Sequence, residues 1–245
     1  MINPVVSGGT EVEVVCHMSV LVQGFGPFGG LDANPSELLV RELAGRDDPD
    51  LVTAVLPVSL RQVTDEIPRL MDKHRPRAWV GVGLAAGRTG LSAEAVAVNL
   101  ADWPEADADY DGLAVARVPV APSGPAAHLT TLPVERILSS WREAGIPGYL
   151  SHTAGSYLCN LSFYAAAQAA SDLGLECMVG FIHVPLLPEL VSAPERQPSM
   201  HMTLQLAGLD LVVAACRDAG EHAGSAGAEG AAGDAMGGIY LGRTA

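Results

Sequence analysis

Short apolar runs alternate along this chain with longer helical patterns. Runs typical of strands buried on both faces occupy four places: Val20 to Gln23, Leu51 to Leu56, Ala78 to Val82 and Glu176 to Val184. Helical patterns lie between and after them, at Ser36 to Ala44, Leu60 to His74, Val134 to Ala144, Asn160 to Leu173 and Met200 to Arg217. This alternation predicts an α/β fold in which a mostly parallel sheet carries helices on both sides.

One section departs from the alternation. The segments "GLSAEAVAVNL" from Gly90 and "GLAVARVPV" from Gly112 show the period of two that is typical of half-buried strands. The acidic stretch "ADWPEADADYD" joins them, and we expect it to be a solvated loop without a calcium-binding pattern. The two segments therefore predict an antiparallel β-hairpin beside the main sheet.

The length of the chain predicts one domain. A chain of 245 residues is long enough for one sizeable α/β domain, which we place at 18–219. Met18 directly precedes the first strand, so residues 1–17 are expected to be a dispensable extension. The Gly/Ala-rich end, 220–245, is expected to be a mobile tail.

Charge and cysteine content exclude several classes of function. A formal net charge of −14 disfavours nucleic acid and anionic membranes as partners. No uncharged apolar run reaches the roughly 18 residues of a membrane span, and the N-terminus has no signal-peptide pattern. The cysteines show no C-x-x-C and no closely spaced ligand set, which predicts free thiols rather than disulfides or a zinc site: Cys16, Cys159, Cys177 and Cys216.

Gly24, Gly26 and Gly29 form the pattern G-x-G-x-x-G directly after the first strand, as in dinucleotide-binding enzymes. That function requires a helix to begin among the glycines, so that its N-terminus faces the pyrophosphate. Here the first helix start is Asn34 or Ser36, several residues too late, and no acidic residue ends the second strand. A dinucleotide-dependent oxidoreductase is therefore disfavoured, and the glycines need another explanation.

Cys159 lies in "TAGSYLCNLSFYAAAQ", where a turn is followed by a helical pattern. At or just before a helix N-terminus, the helix dipole and free backbone N–H groups favour a thiolate and lower the pKa of the thiol. The same N–H groups can bind an oxyanion. The position alone leaves open a second interpretation, in which Cys159 is a small apolar residue of the first helical turn.

His183 and Glu94 are polar residues within apolar runs. His183 lies near the carboxyl end of a strand, where active sites of parallel sheets gather, although a core histidine bonded to backbone is also consistent. Glu94 is the single charge of its run, so it is either paired inside the protein or exposed on an edge strand. With Cys159 they form a candidate nucleophile, base and orienting acid, and no G-x-S-x-G motif supports a serine hydrolase.

Four spaced groups of motifs resemble the pyroglutamyl peptidase I (pyrrolidone-carboxylate peptidase) family of cysteine peptidases. They are "GFGPFGG" with "NPSE", then "GLAAGR…SAEAVAVN", then "TAGSYLCNLSFY", and last "GFIHVPLLPE" with "QPSM". The resemblance implies a three-layer α/β/α sandwich with a twisted central sheet. It also implies that the family's glutamate, cysteine and histidine fall on Glu94, Cys159 and His183.

The resemblance further implies an acyl pocket built by the glycine-containing loop. Phe25 and Phe28 would grip the flat faces of a five-membered lactam ring, with Asn34 nearby. Leu84 and Leu158 would line the same pocket. In this interpretation the glycines let the backbone bend around a small ring, and no phosphate is required.

The implied reaction is hydrolysis of the peptide bond after an N-terminal pyroglutamate, through an acyl-enzyme on Cys159. No metal or other cofactor is implied. The substrate would be a small peptide or acyl-amide, and the resemblance also implies a cytoplasmic location and a homo-oligomer, either a dimer or a tetramer.

The chain departs from the family mainly in the acyl pocket. Leu84 stands where the family has a glutamine, and the family's arginine and isoleucine after Asn99 are missing from "LADWPEADADYDG". Tyr157 and Leu158 are milder changes. A divergent member of this kind leaves two activities open, a pyroglutamyl peptidase, or a cysteine amidase or lactam-processing enzyme that acts on another small acyl group. A non-catalytic homologue is disfavoured, because all three polar residues are kept.

Overall fold

The computed structural model describes residues 19–191 and 196–226. The expected extension at 1–17 lies outside these residues, as does the expected tail beyond residue 226. Within the described ranges, no helix combines the length and the apolar character needed to cross a membrane.

Most strands of the described structure belong to one six-stranded sheet. In chain order the strands are β1 (Val20–Phe25), β2 (Leu51–Leu56), β3 (Ala78–Leu84), β4 (Leu91–Glu94), β5 (Val96–Val98), β6 (Ala101–Trp103), β7 (Val115–Val118), β8 (Ala127–Leu129), β9 (Gly148–Ser151) and β10 (Met178–Val184). The main sheet has the order β2-β1-β3-β10-β4-β9, and only the β10–β4 pair is antiparallel. Two small antiparallel ladders, β5–β8 and β6–β7, lie beside it.

Helices cover both faces of the sheet. They are α1 (Pro35–Ala44), α2 (Leu60–His74), α3 (Val134–Glu143), α4 (Leu158–Asp172) and α5 (Met202–Ala226). Helices α1, α3 and α5 pack in one apolar cluster with strand residues such as Val22 and Ile182. Helices α2 and α4 pack in a second cluster with the alternate residues Leu21 and Phe181. The predicted three-layer α/β/α sandwich is therefore confirmed, because successive strand residues supply opposite faces.

Strand β4 was predicted as part of a hairpin, and that prediction is wrong. Its residues lie inside the main sheet between β10 and β9, where both of its faces are buried. Leu91 and Ala93 face the cluster that contains α1, α3 and α5. Ser92 and Glu94 are equally buried, at 0% and 1% exposure, so the period of two does not mark a solvent-facing side here.

The hairpin itself exists further along the chain. Strand β6, which is the first three residues of the acidic stretch, pairs antiparallel with β7. That stretch is only partly solvated, because Asp109 is 5% exposed and its carboxylate accepts hydrogen bonds from the backbone N–H groups of Leu60, Asp111 and Leu113. The buried carboxylate therefore organises this loop instead of facing water.

Two helix starts differ from the predicted ones by two residues. Helix α4 begins at Leu158 rather than at residue 160, which places Cys159 inside its first turn. Helix α5 begins at Met202 and continues to Ala226, beyond the predicted end at Arg217. Boundaries shift by this amount because helix ends fray and sequence patterns fix them weakly.

Candidate active site

The carboxyl ends of three neighbouring parallel strands meet the N-terminus of helix α4 at one edge of the sheet. Strand β1 ends at Phe25, β3 ends at Leu84, and β10 ends one residue after His183. The first turn of α4 carries Leu158 and Cys159 to the same edge. Ligands of open α/β sheets bind at this edge. The predicted site residues therefore lie where a ligand-binding site is expected.

The thiol of Cys159 lies over Gly83 of strand β3. A Cβ atom added at Gly83 would come within 2.7 Å of Cys159 Sγ, so the absent side chain makes room for the sulfur. Gly83 pairs with His183 in the parallel β3–β10 ladder. Paired residues of neighbouring strands lie about 5 Å apart and point to the same face. The sulfur and the imidazole are therefore neighbours.

His183 is bonded to Glu94. The distance from His183 Nδ1 to Glu94 Oε1 is 2.7 Å, and both residues are buried, with 4% and 1% exposure. When Nδ1–H donates to the carboxylate, the lone pair of Nε2 is left to accept a proton. Of the interpretations left open above, the exposed edge-strand glutamate is wrong, and the partner of the histidine is a carboxylate rather than a backbone group.

Arg88 also lies in this site, although its role was not predicted from the sequence. Its Nη1 donates to Glu94 Oε1 at 2.5 Å and also to Ser92 Oγ. Its Nη2 donates to the carbonyl oxygen of Thr153 at 3.4 Å, in the turn that leads into α4. An arginine in a Gly/Ala-rich surface turn produces no periodic signal, so only its place in the motif "GLAAGR" could have drawn attention to it.

The pKa values of Glu94 and His183 move in the same direction for different reasons. Burial acts to raise the pKa of Glu94, but the hydrogen bond and charge of His183, followed by hydrogen bonds from Ser151 and Arg88, bring it below its ordinary value. Burial lowers the pKa of His183, and the opposing effect of Glu94 does not restore it. The resting pair is therefore a carboxylate beside a neutral imidazole.

Cys159 does not have the lowered pKa that its helix position predicted. Burial raises the pKa of the thiol to about 12, and the nearby charge of Glu94 adds to this. Arg88 and the backbone N–H of Cys159 itself act in the opposite direction but are weaker. Part of the side chain remains exposed. The thiol therefore needs a base to remove its proton before it can act as a nucleophile.

A small cavity of about 120 Å³ opens beside the thiol. All five residues expected in the acyl pocket line it, together with the candidate nucleophile and two further residues: Phe25, Phe28, Asn34, Val58, Leu84, Tyr157, Leu158 and Cys159. An engineered apolar cavity of about 150 Å³ in another protein binds benzene. The cavity beside Cys159 is therefore the right size for a single five-membered ring.

The three glycines of the opening pattern have different roles, and only Gly24 is required by close packing. A Cβ atom at Gly24 would lie 2.7 Å from the carbonyl oxygen of Ser36, so this glycine lets β1 and α1 approach each other. Asn34 Oδ1 accepts from Ser36 N at 3.0 Å and caps α1, while its Nδ2 donates to the carbonyl oxygen of Gly26 at 2.9 Å. Gly29 has a φ of 65°, a conformation that favours glycine. Asn34 therefore holds the shape of the loop as well as lining the cavity.

Tyr157 connects the cavity to the acidic segment that follows Asn99. Its ring centroid lies 5.3 Å from that of Phe28 and 4.9 Å from that of Trp103, which meets it edge-on. Trp103 Nε1 donates to the carbonyl oxygen of Leu113 at 2.9 Å. This segment therefore supports one wall of the cavity through tilted and edge-on aromatic contacts.

A larger groove of about 490 Å³ lies between α2 and α4, but its lining contains no cysteine or histidine. Among the residues that the structure describes, no three His, Cys, Asp or Glu side chains are grouped so that they could hold a metal ion. Of these two cavities, the one beside Cys159 therefore offers a thiol nucleophile.

Comparisons with known proteins point to one family. A model of the pyroglutamyl peptidase family matches residues 18–218. The chain is 37% identical over 199 residues to the pyrrolidone-carboxylate peptidase of Vibrio vulnificus (strain CMCP6), which covers 80% of this chain and 92% of that protein. A relative of the same name from Pyrococcus furiosus is 35% identical over 202 residues, with 80% and 96% covered.

Solved structures give the same result. The X-ray structure of pyrrolidone carboxyl peptidase from the hyperthermophile Pyrococcus furiosus matches this chain with a TM-score of 0.78 and 33% sequence identity. The match covers 82% of this chain and 99% of that one. The similarity therefore extends over the sheet, the helices and the edge at which the site lies.

Proposed function

Because the chain belongs to the pyroglutamyl peptidase family, we propose that it hydrolyses the peptide bond after an N-terminal pyroglutamate. In this proposal Cys159 is the nucleophile, His183 is the general base and acid, and Glu94 orients the imidazole. The observation that carries it is the position of the Cys159 thiol between a ring-sized cavity and the His183–Glu94 pair.

Acylation begins with a proton transfer, because the resting thiol is protonated. Nε2 of His183 takes the proton from Cys159 Sγ while the sulfur attacks the pyroglutamyl carbonyl carbon. The N–H groups of the first turn of α4 have no helical carbonyl to bond, so they are available to the oxyanion that forms. His183 then gives its proton to the leaving amine as the C–N bond breaks, and a thioester remains.

Deacylation reverses the roles of the same groups. Water attacks the thioester carbonyl while His183 accepts its proton, and the C–S bond then breaks. Pyroglutamate leaves, and Cys159 recovers a proton from His183. Glu94 stays ionised throughout and stabilises the imidazolium each time it forms.

The cavity supports the choice of acyl group. Phe25 and Phe28 are aromatic side chains suited to the flat faces of a lactam ring, and Leu84 adds apolar contact. Because Leu84 carries no hydrogen-bonding group, polar contacts to the ring edge must come from other groups at the cavity, such as the backbone.

Hydrolysis of pyroglutamyl-aminomethylcoumarin, followed by fluorescence, tests the proposal with two matched variants. Cys159→Ala removes the nucleophile and should abolish cleavage, since such losses cost about a million-fold in kcat. Cys177→Ala removes another thiol whose pKa burial raises to about 12, and it should leave the rate unchanged. Equal rates for the two variants would overturn the assignment of Cys159.

A different acyl group would give another pattern. If the wild-type chain leaves the coumarin substrate intact while iodoacetamide still alkylates Cys159, the nucleophile acts on another small acyl-amide. Failure of both reactions would refute the enzymatic function itself.

Location and assembly complete the proposal. The family resemblance supports a cytoplasmic location and a homo-oligomer of two or four chains. Sedimentation velocity on the purified protein measures the assembly, and a monomer at micromolar concentration would contradict this part alone.

A further inference from the structure

The Glu94 carboxylate is buried, so its negative charge must be balanced by groups inside the protein. Its side chain is 0% exposed, and a buried carboxylate is costly unless an opposite charge and hydrogen bonds compensate it. His183 donates a hydrogen bond to Oε1, but the imidazole is neutral in the resting site because burial lowers its pKa. Among the described residues, the formal positive charge in contact with Glu94 comes from Arg88.

Arg88 also ties together the segments that carry the site. It follows strand β3, whose last residue, Leu84, lines the cavity. Its two terminal nitrogens reach Glu94 and Ser92 on β4 and the carbonyl oxygen of Thr153 before α4. A planar guanidinium can make these contacts at once, whereas a lysine ammonium cannot reproduce the fork.

We propose that Arg88 is a fourth member of the site, a positioning residue that keeps the buried Glu94 ionised and the adjacent imidazole of His183 neutral. This inference rests on the proposed function for its kinetic readout only.

Charge balance explains the proposed role. With Arg88 present, the guanidinium and the carboxylate cancel, and the buried group of three is neutral while His183 is unprotonated. An added proton would give this group a net positive charge, which burial disfavours. Without Arg88 the Glu94–His183 pair would carry a net negative charge and would take up a proton at higher pH.

The other groups that face the pair do not substitute for Arg88. Helix α4 contributes Cys159, which is neutral at rest. Strand β9 contributes Ser151 opposite Glu94, whose hydroxyl also acts to lower the pKa of Glu94 but carries no charge. Strand β10 places Phe181 beside His183, with ring centroids 4.9 Å apart. Removal of the guanidinium should therefore move the protonation of the pair, because none of these neighbours supplies a positive charge in its place.

Arg88→Gln and Arg88→Lys test this role in the full-length chain. The midpoint of protonation of the pair is followed on the His183 ring proton by NMR, with His183→Gln identifying the resonance. Arg88→Gln should raise this midpoint by about one pH unit, a typical effect of one nearby charge. Arg88→Lys keeps the charge and should hold the midpoint near the wild-type value, while kcat falls because the fork is lost.

Arg217→Gln is the matched control. Arg217 is also a partly buried arginine, and it donates to both carboxylate oxygens of Asp48 at 2.9 Å, away from the cavity. The Arg217→Gln variant should be less stable than the wild type but keep the wild-type midpoint of His183 protonation. The acid limb of kcat/KM for pyroglutamyl-aminomethylcoumarin should move with the NMR midpoint in each variant.

The two readouts separate failure of this inference from failure of the proposed function. A chain that does not cleave the substrate refutes the function but still gives the NMR midpoints. A folded Arg88→Gln variant with the wild-type midpoint overturns the role of Arg88. If that variant does not fold, Arg88→Lys decides, since a midpoint raised by about one unit despite the retained charge would also overturn it.

Discussion

Substitution of Gly83 by alanine tests the position of the proposed nucleophile, Cys159, more directly than any change to Cys159 itself. The added Cβ would lie 2.7 Å from Cys159 Sγ and 2.9 Å from Cζ of Phe181, whereas ordinary contacts begin near 3.4 Å. The sulfur must therefore move by about 0.7 Å, or the strand must move instead. Either shift changes the path of the sulfur to the substrate carbonyl.

The expected cost follows from that displacement. A misplacement of about 1 Å at reacting groups costs roughly 100-fold in rate, so Gly83→Ala should lower kcat/KM by about 10- to 100-fold. Overpacking of a buried site also lowers the free energy of unfolding by about 1–3 kcal/mol. The loss of activity must therefore be measured on folded protein.

Gly180→Ala separates the two effects. Its Cβ would come within 2.4 Å of Thr130 Oγ1 and 2.5 Å of Leu132 Cδ1, so it overpacks the same sheet without touching the sulfur. Both variants should lose stability in urea denaturation, and only Gly83→Ala should also lose kcat/KM and react more slowly with iodoacetamide. Wild-type kinetics in a folded Gly83→Ala variant would refute the placement of the thiol over this strand.

Two further predictions concern the ionisable groups. Glu94→Gln should lower kcat for the coumarin substrate by about 10²- to 10⁴-fold with little change in KM, because an amide no longer holds the imidazole in one tautomer, and a wild-type kcat would contradict the orienting role. The alkylation rate of Cys159 should still rise above pH 9, since burial raises the pKa of this thiol to about 12, and kcat/KM should fall only below the ordinary His pKa of about 6.5, where His183 becomes protonated. An alkylation rate that is already constant at pH 7 would show instead that the resting form is a thiolate.

Two of the three predicted catalytic residues were recognisable because buried polar groups are costly. Glu94 and His183 are polar residues in apolar runs, and burial of either side chain without a partner would strongly lower the free energy of unfolding. Each of the two residues therefore predicts a buried polar partner for itself. The sequence could not pair them, because their bond spans 89 positions and depends on β10 lying beside β4.

The pKa of the Cys159 thiol could not be predicted from its position at the helix N-terminus alone. The start of α4 was predictable to within two residues, and the N–H of Cys159 does act to lower the pKa. The larger effect is burial against β3, and that burial depends on Gly83 and on the ring of Phe181 beside it. Tertiary packing therefore reverses the direction that the helix terminus alone predicts.

Strand β4 and Arg88 escaped prediction for a related reason. Alternation of apolar and polar residues indicates a solvent-facing side only when the polar side meets water. In β4 the polar side, Ser92 and Glu94, meets Arg88 and His183 instead of water. A strand whose polar side is buried can therefore look like an exposed strand, and the arginine that pairs with it looks like any surface arginine. In a chain of this family, an arginine a few residues before an alternating strand with a single acid should therefore be tested as a partner of that acid.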